Sequence, residues 1–202
     1  MLAAAAFILA HADVQVSYAE SGVCRVTEHV TVEGGEPVRE TRVVSTFASR
    51  DVRVTDASGR SADGTVAVSF LPVKTTTAIA VDFEFEEPRT AFGYTLDYRV
   101  ARSNGASFEC PLAVPHLSPK GSRAVALSVE IPPGQVARGP FFPNLYRSGD
   151  RLVAELGALP AFVSAPWGAS RLGAGFATHG VDAFAVFFIV AATLLWYKTR
   201  EA

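Results

Sequence analysis

The sequence predicts an all-β protein: an antiparallel β-sandwich, Ig-like or related, of about 8–10 strands, followed by a single C-terminal transmembrane α-helix. Three observations predict this architecture. Apolar and polar residues alternate with a period of two through residues 13–170. Clusters of Gly, Pro, Asn and Asp interrupt that alternation at short intervals. Near the end of the 202-residue chain, residues 183–197 form a run of fifteen without a charge.

The first twelve residues predict a secretory signal peptide. An apolar run from Leu2 to Ala10 leads into Ala-His-Ala at positions 10–12, which has the small-x-small pattern that signal peptidase cleaves. We therefore expect cleavage after Ala12, although no Lys or Arg precedes the apolar run. The alternative is that residues 1–12 form a buried N-terminal helix or strand of the fold.

Residues 13–170 predict an extracytoplasmic β-domain, which begins with a hairpin around Glu-Ser-Gly at 20–22. The alternation places these residues in the core: Val14, Val16, Tyr18, Cys24, Val26, Val30, Val32, Val66, Val68, Phe70, Ile79, Val81, Phe83, Phe85, Phe92, Tyr94, Leu96, Tyr98, Val100, Val125, Leu127, Val129 and Ile131. Turns are predicted at EGGEP (33–37), DASGR (56–60), SADG (61–64), RSNG (102–105) and IPPG (131–134).

The predicted centre of the core is a pair of strands, AIAVDFEFEEP at 78–88 and FGYTLDYRV at 92–100, whose rings form an aromatic layer. The other face of the first strand carries Asp82, Glu84 and Glu86. We interpret this acidic face as a solvated strand exterior. The alternative is a cation site made from the three carboxylates.

Residues 171–197 predict a linker and a transmembrane helix, and residues 198–202 a short cytoplasmic tail. As a helix, the uncharged run alone reaches about 22 Å, whereas the 26 residues 172–197 are enough to cross a hydrocarbon core of about 30 Å. Its cytoplasmic end carries the expected flanking residues: Trp196, Tyr197, Lys198 and Arg200. The domain is thus expected outside the cytoplasm, in the periplasm, at the cell surface or in a lumen, with Trp167 at the membrane interface. The alternative is a core helix of a globular domain.

The outer end of the predicted helix carries an ionisable pair and a stripe of small residues. His179 and Asp182 are three residues apart and share a helix face, while Gly173, Ala177 and Gly180 let another helix approach closely. The pair has three interpretations: it lies in the wet interface just outside the membrane, it packs against another membrane subunit, or His179 ligates a haem or chlorophyll.

The sequence predicts little chemistry in the domain itself. Cys24 and Cys110 are expected to form a disulfide after export; two free buried thiols are the alternative. Neither His29 nor His116 has a second histidine nearby, so no metal site is predicted. Nucleophile-elbow, zincin, P-loop and Rossmann motifs do not occur. We therefore expect no cofactor and no enzyme, and keep an enzyme with catalytic carboxylates as the third hypothesis.

Two functional hypotheses remain ahead of it. The first is an accessory, assembly or stabilising subunit of a larger membrane protein complex, with integral membrane subunits and lipid as partners. The second is a membrane-anchored receptor or adhesin that binds a ligand through its loops. Its best candidate surface is GPFFPNLY at 139–146, with Phe141, Phe142 and Tyr146, unless these rings plug the core. The net charge of -2 argues against a nucleic-acid partner.

Overall fold

A computed structural model of the chain describes residues 7–19, 22–48, 52–73, 76–102 and 108–168. The predicted linker, transmembrane helix and tail, residues 171–202, lie outside the described residues. Within the described part of the chain, no helix is long and apolar enough to cross a membrane.

The described residues form fourteen β-strands, which confirms the all-β class. The strands are β1 (Ile8–Tyr18), β2 (Cys24–Thr46), β3 (Val52–Arg60), β4 (Thr65–Val73), β5 (Thr76–Arg102), β6 (Glu109–Pro111), β7 (Val114–Pro115), β8 (Ser118–Pro119), β9 (Val125–Glu130), β10 (Val136–Ala137), β11 (Tyr146–Ser148), β12 (Arg151–Leu156), β13 (Phe162–Ser164) and β14 (Trp167–Gly168).

Ten strands form one mixed sheet in the order β11-β12-β9-β1-β2-β5-β3, with β4 beside β5, β7 beside β2 and β8 beside β1. Two further sheets have two strands each, β10 with β14 and β6 with β13. The prediction of a purely antiparallel arrangement was wrong, because β1 runs parallel to β8 and β9. Parallel neighbours need a crossover connection, and the whole chain between β1 and β9 supplies it. Alternation of residue types contains no information about strand direction.

The two longest strands, β2 and β5, are antiparallel partners that bend together. Residues 24–33 of β2 pair with 91–100 of β5, and residues 40–46 pair with 78–84, with register shifts between these segments. The segments 78–88 and 92–100 are therefore the two halves of β5. The prediction that they are two strands paired with each other was wrong, because both pair with β2.

The predicted aromatic layer nevertheless forms, because the bend brings the two halves of β5 face to face. The ring centroid of Phe83 lies 4.7 Å from that of Phe92 and 5.3 Å from that of Tyr94. A straight strand would separate residues 83 and 92 by about 30 Å. The EGGEP cluster lies inside β2 at this bend, where the ring of Phe7 occupies the space that a Cβ on Gly34 would need.

The predicted core residues of β1, β2, β5 and β9 are all buried, which confirms the alternation in those strands. Strand β4 differs: Val66 and Val68 are half-buried and Phe70 is 49% exposed. The clusters SADG and IPPG separate strands as predicted, whereas DASGR lies within β3. In the IPPG turn, Gly134 has a φ of 78°, a left-handed conformation that favours glycine.

Both ends of the described domain contribute to its packing. Residues 8–12 are the first half of β1, where Leu9 and Ala12 are buried, an arrangement that matches the alternative of an N-terminal strand. Cleavage after Ala12 stays a prediction. At the other end, Trp167 is half-buried, and its place in the membrane interface stays a prediction. Its ring centroid lies 4.6 Å from that of Tyr18 and 4.8 Å from that of Phe108.

Candidate binding surface

The predicted binding segment GPFFPNLY runs through the loop between β10 and β11 to the first residue of β11, and it is held against β13. The Phe142 amide donates to the carbonyl oxygen of Ser164 at 2.9 Å, and the Ser164 amide donates to that of Phe142 at 2.7 Å. The Phe142 ring stacks on Phe162 with centroids 4.7 Å apart and an interplanar angle of 27°. We call Phe142 and Phe162 the aromatic pair.

The three aromatic residues of the loop differ in exposure. Phe142 is 49% exposed and Tyr146 is 58% exposed, whereas Phe141 is half-buried and packs against the hydrophobic core. The core-plug alternative therefore describes Phe141 but not the other two. An exposed ring stacked on a second ring offers an apolar surface of the kind found where proteins bind partners.

The aromatic pair is anchored through the small sheet of β6 and β13, which Tyr18 joins to β1. The Tyr18 hydroxyl lies 2.9 Å from the carbonyl oxygen of Phe108 and 3.0 Å from that of Val163, and its proton is shared between them. Burial raises the pKa of Tyr18 well above its usual value, so the hydroxyl stays protonated and remains a donor. The hydrogen bonds of Tyr18 thus tie the small sheet that carries Phe162 to β1.

A cleft of about 320 Å³ lies beside the same loop. Its walls include Arg138, Arg147, Phe141 and Leu152. The amide of Arg138 donates to the carbonyl oxygen of Pro166 at 2.7 Å, which fixes the start of the loop against the segment before β14. Sequence reasoning missed this cleft, because its two arginines are on either side of the loop and converge only through the fold.

Cys24 in β2 and Cys110 in β6 are both buried, and the structure contains them as free thiols that interact with each other. Burial raises the pKa of Cys110 well above its usual value, and the hydrogen bond with Cys24 and the charge of Cys24 raise it further. The fold therefore brings together the two cysteines that the sequence singled out. Their disulfide stays a prediction, and it would covalently join the main sheet to the small sheet that carries Phe162.

A buried polar cluster lies at the centre of the bent sheet, and sequence reasoning did not find it. Glu28 is 1% exposed and accepts a hydrogen bond of 2.6 Å from the Tyr98 hydroxyl. That hydroxyl in turn accepts the Ala113 amide at 2.9 Å. Burial raises the pKa of Glu28 to about 8, and the hydrogen bond from Tyr98 offsets part of the rise. The available signal was the position of Glu28, in phase with Val26 and Val30.

The other candidate groups lie on the surface. The Nδ1 atom of His29 is 2.9 Å from the Thr95 hydroxyl, and the Nε2 atom of His116 is 3.0 Å from that of Thr46. Asp82 forms an exposed ion pair with Arg42. Across the described ranges, no group of three or more His, Cys, Asp and Glu side chains is placed to hold a metal ion. Asp82, Glu84 and Glu86 are not such a group, and their interpretation as a solvated strand exterior stays a prediction. The predicted helix residues Gly173, Ala177, His179, Gly180 and Asp182 lie outside the described residues.

The fold and these sites define the chain as an all-β protein with an exposed aromatic surface, and comparison with known proteins adds little to that class. No family model and no curated protein matches the sequence. Leukotriene A4 hydrolase from Saccharomyces cerevisiae aligns with a TM-score of 0.46 and 11% identity over 79% of this chain and 29% of that chain. An M1 zinc metallopeptidase from Deinococcus radiodurans aligns with a TM-score of 0.41 and 13% identity, over 80% and 42% respectively. The chain thus spans less than half the length of these proteins.

Proposed function

We propose that the chain is a non-enzymatic, single-pass membrane protein whose extracytoplasmic β-domain is an accessory, assembly or stabilising subunit of a larger membrane protein complex. In this proposal the bent main sheet packs on itself as a β-sandwich. Residues 171–197 supply the linker and the transmembrane helix. Integral membrane subunits are the partners, and they contact both the aromatic pair and the stripe of small residues on the helix.

The position of the aromatic pair is the observation that carries this proposal. Phe142 is hydrogen-bonded to Ser164, four residues before Gly168, the last described residue. The uncharged run 183–197 follows shortly afterwards in the sequence. An exposed apolar surface costs roughly 25 cal/mol per Å² relative to a buried one. Its place beside the segment that continues toward the predicted membrane helix favours a partner at the membrane surface.

The receptor or adhesin is the second candidate, and the exposure of both Phe142 and Tyr146 in one loop favours it. In that case the loop binds a soluble or cell-surface ligand, and the helix serves only as an anchor. The two candidate functions predict different results on purification: the accessory subunit should co-purify with integral membrane proteins, whereas the receptor should purify alone.

Purification from native membranes in mild detergent, followed by mass spectrometry, tests the proposal. We expect integral membrane proteins in stoichiometric amounts with the natural chain. We expect much less of them with Phe142→Ser and with the double variant Gly173→Leu/Ala177→Leu. The matched control is Phe70→Ser, which removes a ring of equal exposure from β4.

A chain that purifies alone would overturn the accessory role and favour the receptor. If Phe142→Ser and Phe70→Ser reduced the amount of co-purified membrane protein equally, the aromatic pair would not be part of the partner interface. The absorption spectrum of the same sample tests the third interpretation of His179, since a haem or chlorophyll band that His179→Ala abolishes would establish ligation.

A further inference from the structure

The outer edge of β4 differs from the two strands that end the order of the main sheet, β3 and β11. Strand β3 carries Arg53, Asp56 and Arg60, and its pairing with β5 contains a register shift. Strand β11 is three residues long and includes Arg147. Charges, bulges and short lengths are the features that keep a sheet edge from pairing with another chain. Strand β4 has none of them: its nine residues carry no charge, and they pair with β5 in an unbroken register.

The pairing of β4 with β5 determines which backbone groups face the outer edge. The Phe47 amide donates to the carbonyl oxygen of Thr77 at 3.1 Å, so Thr77 turns its backbone groups toward the β2 side of β5. Thr77 stands opposite Pro72 of β4. This pair is therefore a non-hydrogen-bonded one, and the backbone of Pro72 faces away from β5.

The direction of hydrogen bonding alternates along a strand, so Val66, Val68 and Phe70 also turn their amides and carbonyls to the outer edge. Among the described strands, β4 pairs with β5 alone, which leaves these groups outside the ladder. Pro72 has no amide hydrogen, so the row of donors ends at Phe70. The Phe70 side chain beside this edge is 49% exposed.

We propose that β4 pairs with β4 of a second copy of the chain, antiparallel about a twofold axis at Val68. In this register the two Val68 residues face each other, and Val66 of each copy stands opposite Phe70 of the other. The outward amides and carbonyls of all three residues then have partners. The Phe70 ring lies beside Val66 of the other copy, and aromatic and β-branched side chains stabilise neighbouring strands in such pairs. The two main sheets become one continuous sheet.

The symmetry and the charge of β4 favour a second copy as the occupant. The three outward residues are evenly spaced about Val68, so one twofold axis satisfies all of them, as a self-complementary dimer interface requires. Because β4 is uncharged, antiparallel pairing with itself brings no like charges together. The exposed face of the strand presents Thr65, Ala67 and Ser69, whose small side chains do not obstruct the approach. The contact lies in the β-domain and needs no membrane anchor.

Charge substitutions on the exposed face of β4 test both the pairing and its register. In the proposed ladder, residue 67 of one copy stands opposite residue 69 of the other in a non-hydrogen-bonded pair, where side chains are closest. Ala67→Lys/Ser69→Lys places like charges opposite each other and should weaken the dimer about tenfold or more. Ala67→Lys/Ser69→Glu is the matched control, since it differs at one position and places opposite charges there. It should dimerise at least as well as the natural chain.

Sedimentation velocity of the full chain in dodecyl maltoside, over a range of protein concentrations, measures the dimer. We expect the natural chain to pass from monomer to dimer as its concentration rises. Gly173→Leu/Ala177→Leu should dimerise equally well, because the contact is between β-domains. Urea unfolding of the two lysine variants checks that both keep the fold, which is expected because positions 67 and 69 are exposed.

A natural chain that stays monomeric would overturn the proposal and leave the edge to a strand from a different protein. Equal dimerisation of the two lysine variants would overturn it as well, because the register brings residues 67 and 69 together. Loss of the dimer in Gly173→Leu/Ala177→Leu would assign self-association to the predicted helix instead. Co-purification of membrane proteins is a separate measurement, so failure of the accessory role would not affect this result.

Discussion

At the scale of single residues, Glu28 is the clearest exception to an apolar core, because its carboxyl group is buried. It lies in β2 between Val26 and Val30, on the face that the alternation assigns to the interior, and no cation compensates its charge among its described hydrogen-bond partners. A carboxyl in such a site is stable mainly in its protonated form. The Tyr98 hydroxyl gives it one defined hydrogen bond and also joins β5 to the Ala113 amide.

This burial makes stability depend on pH. The pKa of Glu28 rises from 4.5 to about 8 on folding, so the folded state binds the proton more tightly than the unfolded state. The resulting stabilisation is fully present below pH 4.5 and is lost as the pH rises through 8. We expect the free energy of unfolding to fall by on the order of 3 kcal/mol between pH 5 and 9 through this group. Glu28→Gln should flatten the dependence of the free energy of unfolding on pH. Glu130→Gln, a substitution at an exposed position of β9, should leave that dependence unchanged. Urea unfolding at pH 5, 7 and 9 measures both, and a Glu28→Gln profile as steep as the natural one would contradict the assignment.

The two cysteines permit a second test at this scale. Cys24 and Cys110 are neighbours in the core, and an oxidising compartment would join them across a long loop of chain. We expect protein purified from membranes and unfolded without reductant to take up no maleimide, and to take up two after reduction. Reduction should lower the free energy of unfolding by about 4 kcal/mol in the chain-entropy model. The double variant Cys24→Ala/Cys110→Ala provides the control, since reductant should not change its stability. Labelling of both thiols without reductant would establish the alternative of free thiols.

At the scale of elements, the connection between β3 and β4 is attached to β5 by two side chains, Ser61 and Asp63. Their hydrogen bonds take the place of the backbone pairing that is interrupted there. The Ser61 hydroxyl donates to the Gly93 carbonyl oxygen at 2.6 Å, and the Gly93 amide donates to Asp63 Oδ2 at 2.8 Å. The Asp63 amide donates to Ser61 Oγ at 3.1 Å, which fixes the two side chains relative to each other. Both backbone groups of Gly93 in β5 are thus satisfied where the neighbouring strand is interrupted.

Asp63→Ala should therefore leave the Gly93 amide without its acceptor and cost about 1–2 kcal/mol. It should also accelerate hydrogen exchange of that amide. Asp63→Asn keeps an acceptor oxygen and should lose less. Asp56→Ala removes an exposed carboxylate whose pair with Arg99 is 3.6 Å long, and should change stability by less than about 0.5 kcal/mol. Hydrogen exchange followed by mass spectrometry reads the Gly93 amide, and unchanged protection in Asp63→Ala would refute this role.

The elements also mark the limit of what the sequence predicts. Alternation identified the buried face of β1, β2, β5 and β9, because one face of each strand packs on the core. It could not reveal that segments 78–88 and 92–100 are one bent strand, since both halves keep the same period. The loop at 139–146 was selected because its aromatic residues lie in a segment that contains two prolines, but the sequence left open whether the rings were exposed or plugged the core. The arginine cleft was not, because it depends on pairing between β10 and β14, which are too short to show a period.

At the scale of the whole molecule, the bend of β5 brings aromatic rings from its two halves into contact. Phe83 makes this contact most directly, since its ring meets Phe85, Phe92 and Tyr94 from both halves of β5. It is 3% exposed.

Phe83→Ala should destabilise the domain by about 3–5 kcal/mol, because it removes buried ring surface and leaves a cavity between the two halves of the sheet. Phe70→Ala, on β4 and 49% exposed, is the matched control and should cost less than about 1 kcal/mol. The free energy of unfolding in urea measures both variants. Near-UV circular dichroism of the Phe83→Ala variant should also lose intensity, because the rings that surround residue 83 are no longer held in one arrangement. If the two variants were equally stable, the two halves of β5 would not pack on each other, and the proposed β-sandwich would be wrong as well.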